Sequence, residues 1–208
     1  MGLDVYTAYG LNDTGNELPG YFYSYNRQSE VNLNLGYLRG SYTDNRFKAH
    51  LGLMAGTYAN ANLAGEPGTL RNLLEAYVRV SLKEGNRTWL EAGVFDSHIG
   101  FESPIGFDQL ALTRGILSEN TPYYLNGVRL LHRTQSGKWH MGLLVLNGWQ
   151  IIQKPYDDRM PAFGHTLTYF VNDNWSLHSN SYVGPQLGHN TLTLTVTGIP
   201  INLPGAPV

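Results

Sequence analysis

Three short stretches carry residue types able to do chemistry. Asp96-x-His98 with Glu102 offers carboxylate oxygen and imidazole nitrogen, the donors a divalent metal takes. No second histidine stands at useful spacing, so no metal site is expected there. Ser97-His98 and His178-Ser179-Asn180-Ser181 set hydroxyls beside imidazoles, the raw material of a nucleophilic hydrolase. On a β-strand the two groups share a face only at a spacing of two. Ser97 is adjacent to His98, and the position two beyond His178 is Asn180, so neither pair has the required parity. No G-x-S-x-G, H-E-x-x-H or phosphate-loop pattern appears. The chain therefore reads as a non-enzyme with no metal and no cofactor. Asp96, His98, Glu102, Asp108, Arg114 and Glu119 instead fall within one long segment, 96–122, with a helical-looking piece around 107–112. Long loops in compact folds tend to be functional. This one either folds into an interior, where its charges select among solutes, or packs over a mouth.

The elements that would position these residues are strands. Amphipathic runs are read at 3–10, 30–42, 46–58, 72–82, 88–95, 124–133, 139–147, 165–171, 175–183 and 191–197. Short polar connections rich in Asp, Asn, Gly and Ser, such as Thr43-Asp44-Asn45 and Asn172-Asp173-Asn174, alternate with long aromatic-rich ones at 11–27, 59–71, 96–122 and 148–163. Asn126-Gly127 and Asn147-Gly148 resemble hairpin turns, but alternation continues around them, so they read as strand ends. With the first strand starting at the inner side, every long connection falls on one end and every short one on the other. Outer-membrane barrels have this arrangement. The expected fold is an all-β, antiparallel, up-and-down transmembrane barrel of about ten strands, within a range of roughly 8–12. It occupies 1–198 as a single domain, followed by a proline-rich tail at 199–208 that cannot pair as a strand.

Period-two alternation assigns the two faces. Val31, Leu33 and Leu35 oppose Asn32, Asn34 and Gly36; Leu51, Leu53 and Ala55 oppose Lys48, His50 and Gly52. Leu74, Ala76, Val78, Val80 and Leu82 oppose Glu75, Tyr77, Arg79 and Ser81, while Leu90, Ala92 and Val94 oppose Glu91 and Gly93. Lys48, His50, Glu75, Tyr77, Arg79, Glu91, Arg129 and Arg133 are the expected lining of a polar interior. A soluble barrel or sandwich alternates equally well with its apolar face inward. Glycines on the polar parity, the alternating loop lengths and aromatics near strand ends (Tyr42, Tyr58, Trp89, Tyr123, Trp139, Trp175) favour the membrane version.

Bulk properties narrow the classes further. The chain has 208 residues, formal net charge −2 and no cysteine. Scattered basic residues give no nucleic-acid footprint, and the missing cysteines exclude disulfides and thiolate metal sites. No apolar run approaches the ~20 residues of a transmembrane helix. No signal peptide is present, and Met1-Gly2 leads almost at once into a strand pattern, so the sequence reads as a mature form with its export signal removed. Tyr6 breaks the myristoylation pattern.

The stretch from Phe95 through Gly106, Phe-Asp-Ser-His-Ile-Gly-Phe-Glu-Ser-Pro-Ile-Gly, followed by Glu119-Asn120-Thr121-Pro122-Tyr123-Tyr124-Leu125-Asn126-Gly127-Val128, resembles an outer-membrane β-barrel porin family, porin-2-like. Gly20-Tyr21-Phe22-Tyr23-Ser24-Tyr25, Leu146-Asn147-Gly148-Trp149-Gln150 and Pro161-Ala162-Phe163-Gly164 extend the match in order, over about residues 20–184. The resemblance implies a barrel in the outer membrane of a Gram-negative bacterium that passes small polar solutes, with no cofactor and no catalytic residues. Implied partners are outer-membrane lipids and the solutes themselves, with room for a second copy or an envelope-complex subunit. Members of that family are usually longer, with more strands, and near eight strands side chains fill a barrel. The alternatives are therefore a narrow, plugged barrel serving as a structural or adhesive surface protein, and a soluble ligand-binding barrel.

Overall fold

A computed structural model describes residues 1–11, 15–109, 111–155, 160–186 and 189–195. Its framework is one ten-stranded antiparallel sheet with strands in chain order. They are β1 (Gly2–Thr7), β2 (Val31–Thr43), β3 (Phe47–Ala55), β4 (Leu73–Ser81), β5 (Thr88–Asp96), β6 (Tyr124–Arg133), β7 (Trp139–Leu146), β8 (Ala162–Asn172), β9 (Trp175–Gln186) and β10 (His189–Thr195). Two short helices sit in the long connections, α1 (Thr57–Asn62) and α2 (Ile116–Glu119). The up-and-down meander follows from the short turns, whose Asp, Asn and Gly residues reverse the chain at little cost. Gly85 and Gly137 do so with φ of 82° and 72°. Among the described residues no pairing joins β1 to β10, so these two strands are the sheet's edges. The expected strand residues 196–197 and the proline-rich tail lie outside the described residues.

Burial separates the faces in the sense opposite to a soluble β protein. Leu51, Leu53, Val78, Leu90, Val128, Leu143 and Val145 are exposed, with Leu143 at 65%. On the other face Glu91 is fully buried and Glu75 nearly so. Water-driven folding places apolar surface inside and leaves charge outside; this sheet does the reverse.

Three residues expected on the apolar face are buried instead: Leu35, Leu74 and Val94. The pairing of β1 with β2 slips between Asp4 and Val5, opposite Leu35 and Leu33, and that of β3 with β4 slips between Gly52 and Leu53, opposite Glu75 and Leu73. Each bulge inserts one unpaired residue and reverses parity beyond it. Arg39 thereby joins the polar face, and Leu38 stands exposed on the other. In β5, Gly93 has φ of 128°, and a Cβ there would lie 2.1 Å from the Ala76 carbonyl oxygen. Val94 beyond it is drawn into the core.

Two apolar clusters sit toward the long-loop end. One joins Leu35, Met54, Leu74 and Val94 to Tyr58 and Leu63 of the β3–β4 connection, to Ile105, and to Ile152. The other joins Phe95, Leu125, Leu144, Leu146, Ala162 and Tyr182 to Ile99. The third strand accordingly ends at Ala55, and Tyr58 belongs to helix α1 rather than to a strand end. The aromatic residues divide in the same way. Tyr42, Trp139 and Trp175 are exposed near the short turns, whereas Tyr58, Tyr123 and Tyr124 are core.

Candidate functional site: the polar face and its crossing loop

Register places Lys48 opposite Arg79, Arg79 opposite Glu91, and Glu91 opposite Arg129, one row across four strands. Directly opposed side chains lie close enough to interact, and the Glu91 carboxylate takes both arginines, Nε of Arg79 on one oxygen and Nε of Arg129 on the other. A carboxylate with no exposure needs such partners, because an unpaired buried charge is prohibitively costly. Arg39 Nε lies 3.0 Å from Glu75 Oε1. Lys48 Nζ stands 5.2 Å from the Trp89 ring centre, and His50 stacks on Tyr77 at 4.6 Å. The expected lining residues of β3 to β6 thus form one charged and aromatic wall. Arg133 stands apart, opposite His140 at the short-turn rim.

The wall from β7 to β9 differs. Its polar-parity residues are His140, Gly142, Leu144 and Leu146 on β7, facing Thr168, Thr166, Gly164 and Ala162 on β8. His178 Nε2 lies 3.0 Å from Ser176 Oγ, and its Nδ1 lies 3.0 Å from Thr168 Oγ1. Ser176 stands two positions before His178 and so shares its strand face, the spacing at which Asn180 stands on the other side. Both imidazole nitrogens are occupied by hydroxyls, Thr168 tying β8 to β9 and Ser176 holding the ring along β9 itself. On the opposite, outward parity Ser181 Oγ bonds His165 Nδ1 at 2.6 Å, a polar spot beside exposed Phe163 and Val183.

The 97–123 connection touches both walls. Near its start His98 Nε2 donates to the Ser181 carbonyl at 2.8 Å, and Ile99 enters the cluster of Leu144, Leu146 and Tyr182. Gly164 makes room for this approach, since a Cβ there would lie 3.0 Å from His98 Nε2. Burial pushes the His98 imidazole down to about 4, against the bond to the Ser181 carbonyl, which favours protonation. Farther along, Ile105 packs with Leu35, Met54 and Leu74, and Gly106 lies close to the Tyr25 hydroxyl and Asp4. The sheet is therefore curled about this loop, with β2–β4 and β7–β9 on its two flanks.

Within the loop the expected residues mostly engage one another. Glu102 Oε2 accepts from Gly115 N–H at 2.8 Å, and the Glu102 carbonyl accepts from Arg114 Nη2 at 3.3 Å. Arg114 is buried, its guanidinium carbon 3.4 Å from the Tyr123 ring centre. Asp108 Oδ2 takes the Ser103 hydroxyl at 3.4 Å, and Glu119 ends α2. Asp96 meets the basic wall, lying in the field of Arg39 and Arg129. A 3-10 turn at Gly106–Asp108 stands where the helical piece was expected at 107–112; the short helix falls later, at Ile116–Glu119, and Leu110 lies outside the described residues. Asp96, His98 and Glu102 do not converge, and no group of His, Cys, Asp or Glu placed to hold a metal is found among the described residues.

Three further constellations had no sequence signal. Asp4 Oδ2 accepts from the Tyr25 hydroxyl and from Asn34 Nδ2, each at 2.7 Å. Burial, and then that bond to Asp4, push the Tyr25 phenol up. Gln28 binds the Gly15 and Glu17 carbonyls and accepts from Gly10 N–H, gathering the first long connection. Glu66, 3% exposed, accepts from the backbone N–H of Ile152 at 2.6 Å and of Gln153 at 3.1 Å, with the Tyr124 hydroxyl 3.1 Å from the same carboxylate. It fastens the second long connection to the fourth.

An antiparallel meander with an exposed apolar face, an ion-paired polar face and a long loop laid along that polar face has the make-up of a porin-like barrel protein. The chain belongs to the beta-barrel porin-2, OmpL-like family, whose model matches residues 2–198. No curated protein and no solved structure matches it.

Proposed function

We propose that β10 meets β1 to close the sheet into a transmembrane barrel in a bacterial outer membrane, and that small polar solutes cross it by diffusion. The observation that carries this reading is the inverted burial: leucines and valines exposed on one face, Arg79, Glu91 and Arg129 gathered on the other. Lipid satisfies the first face and a hydrated interior the second, whereas a soluble ligand-binding barrel would leave its apolar face in water. Sieving by size and charge then needs no covalent chemistry. Protein folded in detergent, with heat-modifiable gel migration as the check on closure, is expected to give discrete current steps in a planar bilayer. Silence from demonstrably folded protein would overturn the open-pore reading.

One observation favours a plugged barrel as the second reading. Ile99 and Ile105 anchor the crossing loop to opposite flanks, an arrangement that fills as well as narrows. Deleting 101–119 separates the two readings. A constriction gives larger steps than the parent, and a plug gives steps where the parent gave none.

A further inference from the structure

Charge on the polar face and in its loop is sorted along the strand axis. Toward the short turns stand Lys48, Arg79, Arg129 and Arg133, with Glu91 as the one acid set among them in register. Glu91 is shared by Arg79 and Arg129, so this end keeps a positive excess after its own pairing. Between the ends Arg39 and Glu75 cancel as a pair. Toward the long connections lie Asp4 on β1, Asp96 at the end of β5, and Glu102, Asp108 and Glu119 in the crossing loop, with Arg114 as the basic member of that segment. Hydrogen bonds from Tyr25, Asn34, Ser103 and Gly115 hold several of these carboxylates without adding charge.

We infer that the passage is bipolar, acidic at the long-loop end and basic at the short-turn end, and that it conducts ions better in one direction than in the other. The inference rests on the pore reading above. Fixed charge in a low-dielectric cleft concentrates its counter-ion, so cations enter readily from the long-loop side and anions from the short-turn side. A voltage positive on the long-loop side drives both populations inward and fills the passage with carriers. The reverse voltage draws both out and depletes it. Such sorting acts while the screening length is comparable with the passage, about 30 Å at 0.01 M salt, and fades at 1 M, where it is about 3 Å. The ions selected are small and of both signs, each by its own end.

The test is a single-channel current–voltage curve on the full chain at low and high salt. Because the chain has no cysteine, Ser136→Cys in an exposed short turn, blocked from one chamber by an impermeant thiol reagent, reports which way the protein is inserted. At low salt, current at positive long-loop potential is expected to exceed that at the opposite potential by about 1.5-fold or more, and the ratio to approach one at 1 M. Arg133→Glu, at the exposed rim and outside the Glu91 pairs, and Lys48→Glu should each bring the low-salt ratio toward one. A symmetric curve, or rectification of opposite sign, overturns the bipolar passage while leaving the pore intact. Absence of any current from folded protein overturns the pore reading itself.

Discussion

The two flanks of the polar face are built on different principles. From β2 to β6 charged side chains are cross-linked, Arg39 to Glu75, and Arg79 and Arg129 to Glu91, beside the apolar cluster of Leu35, Met54, Leu74 and Val94. From β7 to β9 the side chains are small, aliphatic or neutral, with glycine at 142 and 164, Leu144, Leu146 and Tyr182 packed beneath the loop, and His178 held by Ser176 and Thr168. The first wall is stabilised pair by pair, so its cost of failure is concentrated in single groups. The second is stabilised by packing, and its failures are graded. The crossing loop is held on both, by Ile105 in the apolar cluster of the first and by His98 and Ile99 on the second.

The largest expected effect therefore falls on the charged wall. Glu91→Gln leaves Arg79 and Arg129 facing each other and should cost about 3–5 kcal/mol of stability, the cost of unpairing a buried charge, read from urea unfolding in detergent. A loss below about 1 kcal/mol would mean that the two arginines are already hydrated and that the walls do not differ in kind. On the packed wall Leu144→Ala should cost about 2–5 kcal/mol through the cavity beside Phe95 and Tyr182. The same change on an Ile99→Ala background should cost less than in the parent, because the two side chains share one cluster.

The join between loop and packed wall is expected to be acid-sensitive. His98 titrates at about 4 when folded, below the ~6.5 of an unperturbed histidine, because burial disfavours its charged form. The unfolded chain thus binds the proton first as pH falls. Stability from this group is complete above about 6.5 and is lost as pH drops from there through about 4, by at most about 3 kcal/mol. Midpoints of heat-modifiable migration across that window check it, and His98→Gln should flatten the slope. The smallest effect is expected at His178→Phe, about 1 kcal/mol for two neutral hydrogen bonds partly replaced by packing, in the same unfolding assay. A cost near that of Glu91→Gln would erase the contrast between the walls.

Much of this was legible from period-two alternation. Lys48, His50, Glu75, Tyr77, Arg79, Glu91 and Arg129 fall on the polar face because the pleat alternates faithfully between bulges. Leu35, Leu74 and Val94 were misplaced where register slips or glycine breaks the alternation, and a bulge leaves little trace in composition. Arg39 held the one clue: on strict parity it would stand among Val31 and Leu33, a charge on the apolar side. The reach of the 96–122 loop was visible as length and charge. Its contacts with Ser181 and Leu35 were not, because they join positions far apart in sequence. Tyr58 and Tyr123 read as interfacial aromatics yet became core, since an aromatic at a strand end suits either role.

Glu66 carries a consequence of another kind. Its carboxylate clasps backbone N–H groups 86 and 87 positions downstream, so the clasp can close only after β4 to β7 have been laid side by side. It is therefore a late event in assembly, and a protease added during refolding should find the second and fourth long connections cleavable before that moment and resistant after it. Resistance of those two connections would thus certify that the central strands had been built in full.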